Sequence, residues 1–214
     1  MLYFARLLTI ILCFIICIIT PISASSSDLP SIDLQRTTEL RKPDGRPLGT
    51  VGVLFYTYID DILHILLARE SKGSDQGTYS EFGGSLELNN QGAPETFLEG
   101  CRRECYEESS GLYKPSPEDL LRSKIYYEKT SKGREIVLCL VKTKDIFQSS
   151  NLLAAQEKFT ENQFKEKDAL LWVNINSLLA RKELVTLRPF LKEILEKPAF
   201  RKLIEELNTN IKKN

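Results

Sequence analysis

Glu95-Thr96-Phe97-Leu98-Glu99-Gly100-Cys101-Arg102-Arg103-Glu104-Cys105-Tyr106-Glu107-Glu108 puts an apolar stripe and an acidic group on one stretch of chain. Phe97, Leu98, Cys101 and Cys105 recur at helical spacing and form the stripe. Glu104, Glu107 and Glu108 fall within an arc of roughly 100° on the same helix, at about 100° per residue. A solvated acidic face would lie opposite the core. Here Glu108 borders the stripe, beside Cys101 and Glu104. Carboxylates this close repel one another, and hard divalent cations such as Mg²⁺ would cancel the repulsion by taking oxygen ligands.

Outward from this helix, Gly83-Gly84 precede it and Gly111-Leu112 follow it. The spacing Glu95, seven residues, Arg103-Glu104, two residues, Glu107-Glu108 resembles the Nudix box, G-x5-E-x7-R-E-U-x-E-E-x-G-U with U aliphatic. The E-x7-R-E-x2-E-E core matches without a gap. The flanks depart from it. Asn89 stands where the first glycine belongs; if Gly84 is that glycine, the loop to Glu95 is five residues longer than usual. Ser109-Ser110 put one residue more before Gly111, and Cys105 replaces an aliphatic residue.

The resemblance covers roughly residues 48–183. It implies an α/β/α sandwich with a mixed β-sheet and a divalent-metal-dependent pyrophosphohydrolase acting on a nucleoside diphosphate linked to another moiety. It implies Mg²⁺ or Mn²⁺ held by Glu104, Glu107 and Glu108, with the Gly83 carbonyl as a further ligand. Arg103 would order the loop through Glu95. Glu104 and Glu107 are catalytic candidates. The general base is drawn from Glu166 in K-E-K-D-A-L-L-W, with Glu161 as the other candidate. Arg69, Tyr79 and Phe82 are candidates for phosphate or base contacts. The alternative is a non-catalytic module of the same fold that holds a nucleotide or a protein.

The chain has 214 residues, 42% of them hydrophobic and 27% charged, an ordinary globular balance. Lys+Arg and Asp+Glu are equal at 29 each. That balance offers no basic excess for a nucleic-acid duplex. The single histidine, His64, sits in the apolar run I-L-H-I-L-L, which excludes a His-based triad or a His-rich zinc site. Past residue 24, Cys101, Cys105 and Cys139 all lie in apolar surroundings and read as small buried hydrophobes.

Residues 1–24 are apolar after Arg6 and end at Pro21-Ile22-Ser23-Ala24, as in a secretory signal peptide. A signal peptide implies an exported, secreted or periplasmic protein; the alternative is an uncleaved anchor and a membrane-tethered one. Residues 25–47 read as a tether, 48–183 as the hydrolase domain and 184–214 as a C-terminal helical extension. Strands are expected over 50–59, 62–68 and 169–173, with a hairpin over 124–129 and 135–141. Helices are expected over 94–109, 152–159, 175–181, 189–195 and 199–212, with Asn174 as a cap. Trp172 reads as a core residue.

Overall fold

The computed structural model describes residues 32–181 and 185–210. The expected signal or anchor segment, 1–24, lies outside these residues. Among those described, no helix is long and apolar enough to cross a membrane.

The chain opens with β1 (Gly49–Ile59) and β2 (Ile62–Glu70), joined through Asp60 and Asp61. Both turn residues have positive φ, 50° and 59°, which the mirror-image hairpin turn requires and which aspartate tolerates. Then come β3 (Tyr79–Ser80), β4 (Phe82–Ser85), α1 (Phe97–Glu108) and α2 (Pro117–Leu121). The hairpin β5 (Lys124–Lys129) and β6 (Glu135–Lys142) follows. It leads to α3 (Ser149–Gln156), a 3₁₀ turn (Asn162–Lys165) and β7 (Lys167–Asn174). The chain ends in α4 (Ile175–Leu179), α5 (Pro189–Glu196) and α6 (Pro198–Asn210).

The seven strands make one mixed sheet in which β1 and β6 run parallel and every other pair is antiparallel. β1 and β2 pair only near their turn, from Tyr56↔Ile65 to Ile59↔Ile62. Beyond it they part, and the segment Tyr79–Ser85 fills the gap. β3 pairs with β2 at Ala68 and Arg69, and β4 pairs with β1 from Thr50 to Val53. This wedge is where the site forms.

Both faces of the sheet are covered, because alternate residues of a strand point to opposite sides. Val51, Val53 and Phe55 of β1 cluster with Phe97, Cys101 and Cys105 of α1. The alternate residues Leu54, Ile65, Leu67, Leu138 and Leu140 are buried as well, and so are Leu191, Phe200, Leu203 and Leu207 of the terminal helices. The expected α/β/α layering is the observed one. All three cysteines named above are free and buried, Cys101 Sγ lying 3.9 Å from Cys139 Sγ. Trp172 packs against the core cluster.

Two expectations about boundaries change. Residues 32–47 are not a tether. Leu34 is 1% exposed within the core, its carbonyl accepts from Leu98 N (2.8 Å), and Arg36 pairs with Glu135 (2.6 Å). The terminal extension is likewise integral, since Thr186 and Arg188 exchange backbone hydrogen bonds with Tyr79. Its apolar stripe had nothing local to cover, so it covers the sheet. The sequence reading also left out α2, a short helix whose Ser116–Asp119 capping box marks its start.

Candidate active site at the acidic helix

Thr96 caps α1 in a reciprocal box with Glu99. The helix buries Phe97, Gly100, Cys101, Glu104, Cys105 and Glu108, so two of the three glutamates ride the buried stripe. They are admitted by β4. A Cβ on Gly83 would strike the Val51 carbonyl, and one on Gly84 would strike the Glu104 carboxylate. Without side chains there, helix and strand come close enough for Gly83 N–H to donate to Glu108 Oε2 (2.6 Å).

Arg103 gathers the remaining acids. Its Nε and Nη2 donate to the two oxygens of Glu95 (2.7 and 3.0 Å), and Nη2 also reaches the Ser85 carbonyl (3.0 Å). Its Nη1 reaches Glu104 Oε1 (2.9 Å) and Glu107 Oε2 (3.2 Å). A planar fork with fixed donors locks the carboxylates it touches, so Arg103 aims Glu104 while Glu95 holds Arg103.

Glu104, Glu108, Gly83 and Glu166 come together around one cavity of about 430 Å³. Gly84, Glu70, Lys72, Asp75 and Arg188 line it too. Glu107, expected as a ligand, does not line it; its Oε1 accepts from Gln163 (3.1 Å) and its Oε2 from Arg103 (3.2 Å). Glu166 is 3.4 Å from Lys72 Nζ on the rim. Glu161 is exposed and does not line the cavity; it accepts from the Thr160 backbone.

Three substrate candidates fall elsewhere. Phe82 is 0% exposed, with Phe55 edge-on at 5.9 Å, so no base can stack on it. Arg69 Nε is engaged by Asp168 (2.7 Å), across a strand pair outside the cavity. Tyr79 is a strand residue whose backbone holds the terminal segment, and it does not line the cavity either.

Lys167, Glu70, Ser80, Glu81 and Arg188 belong to the site and were missed. Lys167 is 0% exposed. Its Nζ donates to Glu70 Oε1 (2.6 Å) and Ser80 Oγ (2.7 Å) and lies 3.1 Å from Glu108 Oε1. Ser80 Oγ donates in turn to Glu70 Oε1 (2.7 Å). The β2–β7 register passes from Arg69↔Ala169 to Glu70↔Lys167 and skips Asp168. That bulge turns Lys167 inward, opposite Glu70. Arg188, at the start of α5, donates to Asp75 (2.9 Å) and lies 3.5 Å from Glu70. In the sequence, K-E-K-D looks like any solvated loop, and nothing local marks which lysine goes in.

The electrostatics follow from burial. Burial pushes Glu104 up to about 7 despite the Arg103 guanidinium. Burial also raises Glu107 and Glu108, against Arg103 and Lys167 respectively. Burial alone would lower the Lys167 pKa, but Glu108 and Glu70 beside it raise it instead. These carboxyls are short of positive charge.

On the open side of the cavity, the oxygens of Glu104 and Glu166 have the hard-donor chemistry that Mg²⁺ or Mn²⁺ requires. On the inner side the fit fails, because both oxygens of Glu108 are already engaged. Among the described residues, no three acidic, His or Cys side chains are grouped to hold a metal ion.

No family model matches the chain, and no characterised protein matches it by sequence. Solved structures resemble it. A MutT/nudix family protein from Enterococcus faecalis is 19% identical over 65% of this chain and 47% of its own, with a TM-score of 0.39. The chain therefore spans about half the length of that protein. The NUDIX domain of Shewanella oneidensis NrtR, complexed with ADP ribose, is 16% identical over 76% and 93%, with a TM-score of 0.46. A C. elegans Ap4A hydrolase in a binary complex is 12% identical over 75% and 97%, with a TM-score of 0.45. What this chain is similar to in these comparisons is the Nudix proteins.

Proposed function

We propose that this chain is a Nudix-type hydrolase that cleaves a phosphoanhydride bond in a nucleoside diphosphate linked to another moiety, with Mg²⁺ or Mn²⁺. One observation carries the reading. From the Thr96 cap onward the E-x7-R-E-x2-E-E stretch forms a single helix, and its Glu104 and Glu108 line a polar cavity instead of facing solvent. A bound divalent cation would offset the substrate's charge and lower the pKa of an attacking water. Glu104 and Glu166 would hold it. Lys72 and Arg188 on the rim supply the positive charge that draws phosphate oxygens in. Glu166 lines the same cavity, and its oxygen not turned to the cation would accept the water's proton. No residue is needed as a covalent nucleophile.

The test is a Mg²⁺-dependent hydrolysis screen. Its panel covers nucleoside triphosphates, dinucleoside polyphosphates, ADP-sugars, NADH, capped RNA and diphosphoinositol phosphates. Glu104→Gln should cut turnover at least about 100-fold while circular dichroism stays unchanged. Wild-type rates in that variant would remove Glu104 from the site. Engagement of Glu108 by Lys167 favours a second reading, a nucleotide-binding module without turnover. Tight nucleotide binding by calorimetry, with no product from any class, would select it. We further propose export through residues 1–24, which N-terminal sequencing of the mature protein decides.

A further inference from the structure

We propose that the Lys167 ammonium is a resident cation of this site, filling the inner position between Glu70 and Glu108, so that divalent ions bind only on the outer side. An ammonium has three N–H donors. Two of those of Lys167 go to Glu70 Oε1 (2.6 Å) and Ser80 Oγ (2.7 Å), and the ammonium also lies 3.1 Å from Glu108 Oε1 in an ion pair. The side chain has no route to water, and a backbone bulge fixes its direction. An isolated buried charge is costly, whereas one that is hydrogen-bonded and paired with carboxylates persists.

The carboxylates outnumber it. Glu81 is 2% exposed, and its Oε2 has no hydrogen-bond partner. Glu70 and Glu108 are buried alongside. Two buried carboxyls, Glu70 and Glu108, pair directly with one ammonium, the buried Glu81 carboxyl adds a third charge to the same interior, and Arg188, 3.5 Å from Glu70, is the next cation. That is the donor set a hard divalent ion takes when nothing else supplies the charge. Lys167 stands where such an ion would stand. Glu108, which bridges Lys167 and Gly83 N–H, is therefore a positioning residue for the lysine in this chain and not a divalent-ion ligand.

The outer ion rests on the hydrolase reading above; the inner position does not, and metal binding read without substrate separates them. Mn²⁺ stoichiometry per chain is measured by calorimetric titration and by electron paramagnetic resonance. Thermal midpoints are taken in chelator and in Mn²⁺. Lys167→Met should gain one Mn²⁺ per chain over wild type. Its midpoint should fall in chelator and recover with Mn²⁺ by more than wild type gains. Adding Glu70→Gln to Lys167→Met should abolish the extra ion. Glu108→Gln, which leaves Lys167 paired with Glu70 and Ser80, should keep the wild-type count. An unchanged count in Lys167→Met, or a lost ion in Glu108→Gln, overturns the proposal. Should Lys167→Met not fold with or without Mn²⁺, the Glu108→Gln count decides alone. A chain without hydrolytic activity whose Lys167→Met variant gains Mn²⁺ keeps this inference and loses only the enzyme reading.

Discussion

Ser110 shows how one residue reconciles this chain with the box it resembles. Its φ is 53°, the left-handed conformation that glycine adopts without cost. Ser110 N donates to Glu107 O (3.0 Å) and Gly111 N to Tyr106 O (2.8 Å), a Schellman closure of α1. The closing position is thus Ser110, where the box has its glycine, and the apparent extra residue is a substitution. Its hydroxyl donates to the Phe164 carbonyl (2.7 Å) and ties the helix end to the turn before Glu166. Ser110→Gly relieves about 1 kcal/mol of backbone strain and loses a hydrogen bond of similar size. Ser110→Ala loses the bond and keeps the strain. Urea midpoints should put the glycine variant near wild type and the alanine variant about 1 kcal/mol below it. The reverse order would refute this account of the helix end.

At the scale of elements, α1 is placed by both its start and its face. Thr96 Oγ1 accepts from Glu99 N (3.1 Å), and Glu99 Oε2 accepts from Thr96 N (2.8 Å). Thr96→Ala should cost about 1 kcal/mol, read as a Tm lower by roughly 2–4 °C. Mn²⁺ affinity should change little, because Arg103, and not the cap, aims Glu104. A large loss of affinity at unchanged Tm would show the reverse. The splitting of β1 from β2 matters as much. It lets Tyr79–Ser85 enter the sheet and brings Ser80, Glu81 and Gly83 beside α1. That insertion could not be read from the stretch itself, whose two short strands lack the alternation of a longer one.

Across the whole molecule, the segment before β1 is fastened to the far end of the sheet. Arg36 Nη2 reaches Glu135 Oε1 (2.6 Å), and Tyr127 Oη donates to the same oxygen (2.7 Å). Burial alone would raise the Glu135 carboxyl. The hydrogen bonds, led by that from Arg36, hold it instead at about 2, below its ordinary 4.5. A depressed folded-state pKa gives stability that is complete above the unfolded value and is lost as pH falls toward the folded one. With Arg36 partly open to solvent, this amounts to on the order of 1–2 kcal/mol. Glu135→Gln should therefore be less stable than wild type at about pH 7, and the gap should shrink by about pH 3. A gap that widens on acidification would show that Glu135 is not held ionised.

The chain's local chemistry determined the helix, the Asn174 cap, the hairpins and the run of glutamates, because periodicity and capping act over a few residues. The pairing of Arg103 with Glu95 came from the resemblance to the box, and the structure places Glu95 just before the Thr96 cap, within reach of the Arg103 fork. Phe82 could not be placed, since whether a ring meets solvent or core depends on strands it joins only after folding. Lys167 could be placed still less. It meets Glu70 across 97 residues of chain, and nothing in K-E-K-D tells an inward lysine from an outward one. Only the assembled sheet decides that, because a buried charge is stable only where its partners have already been brought together.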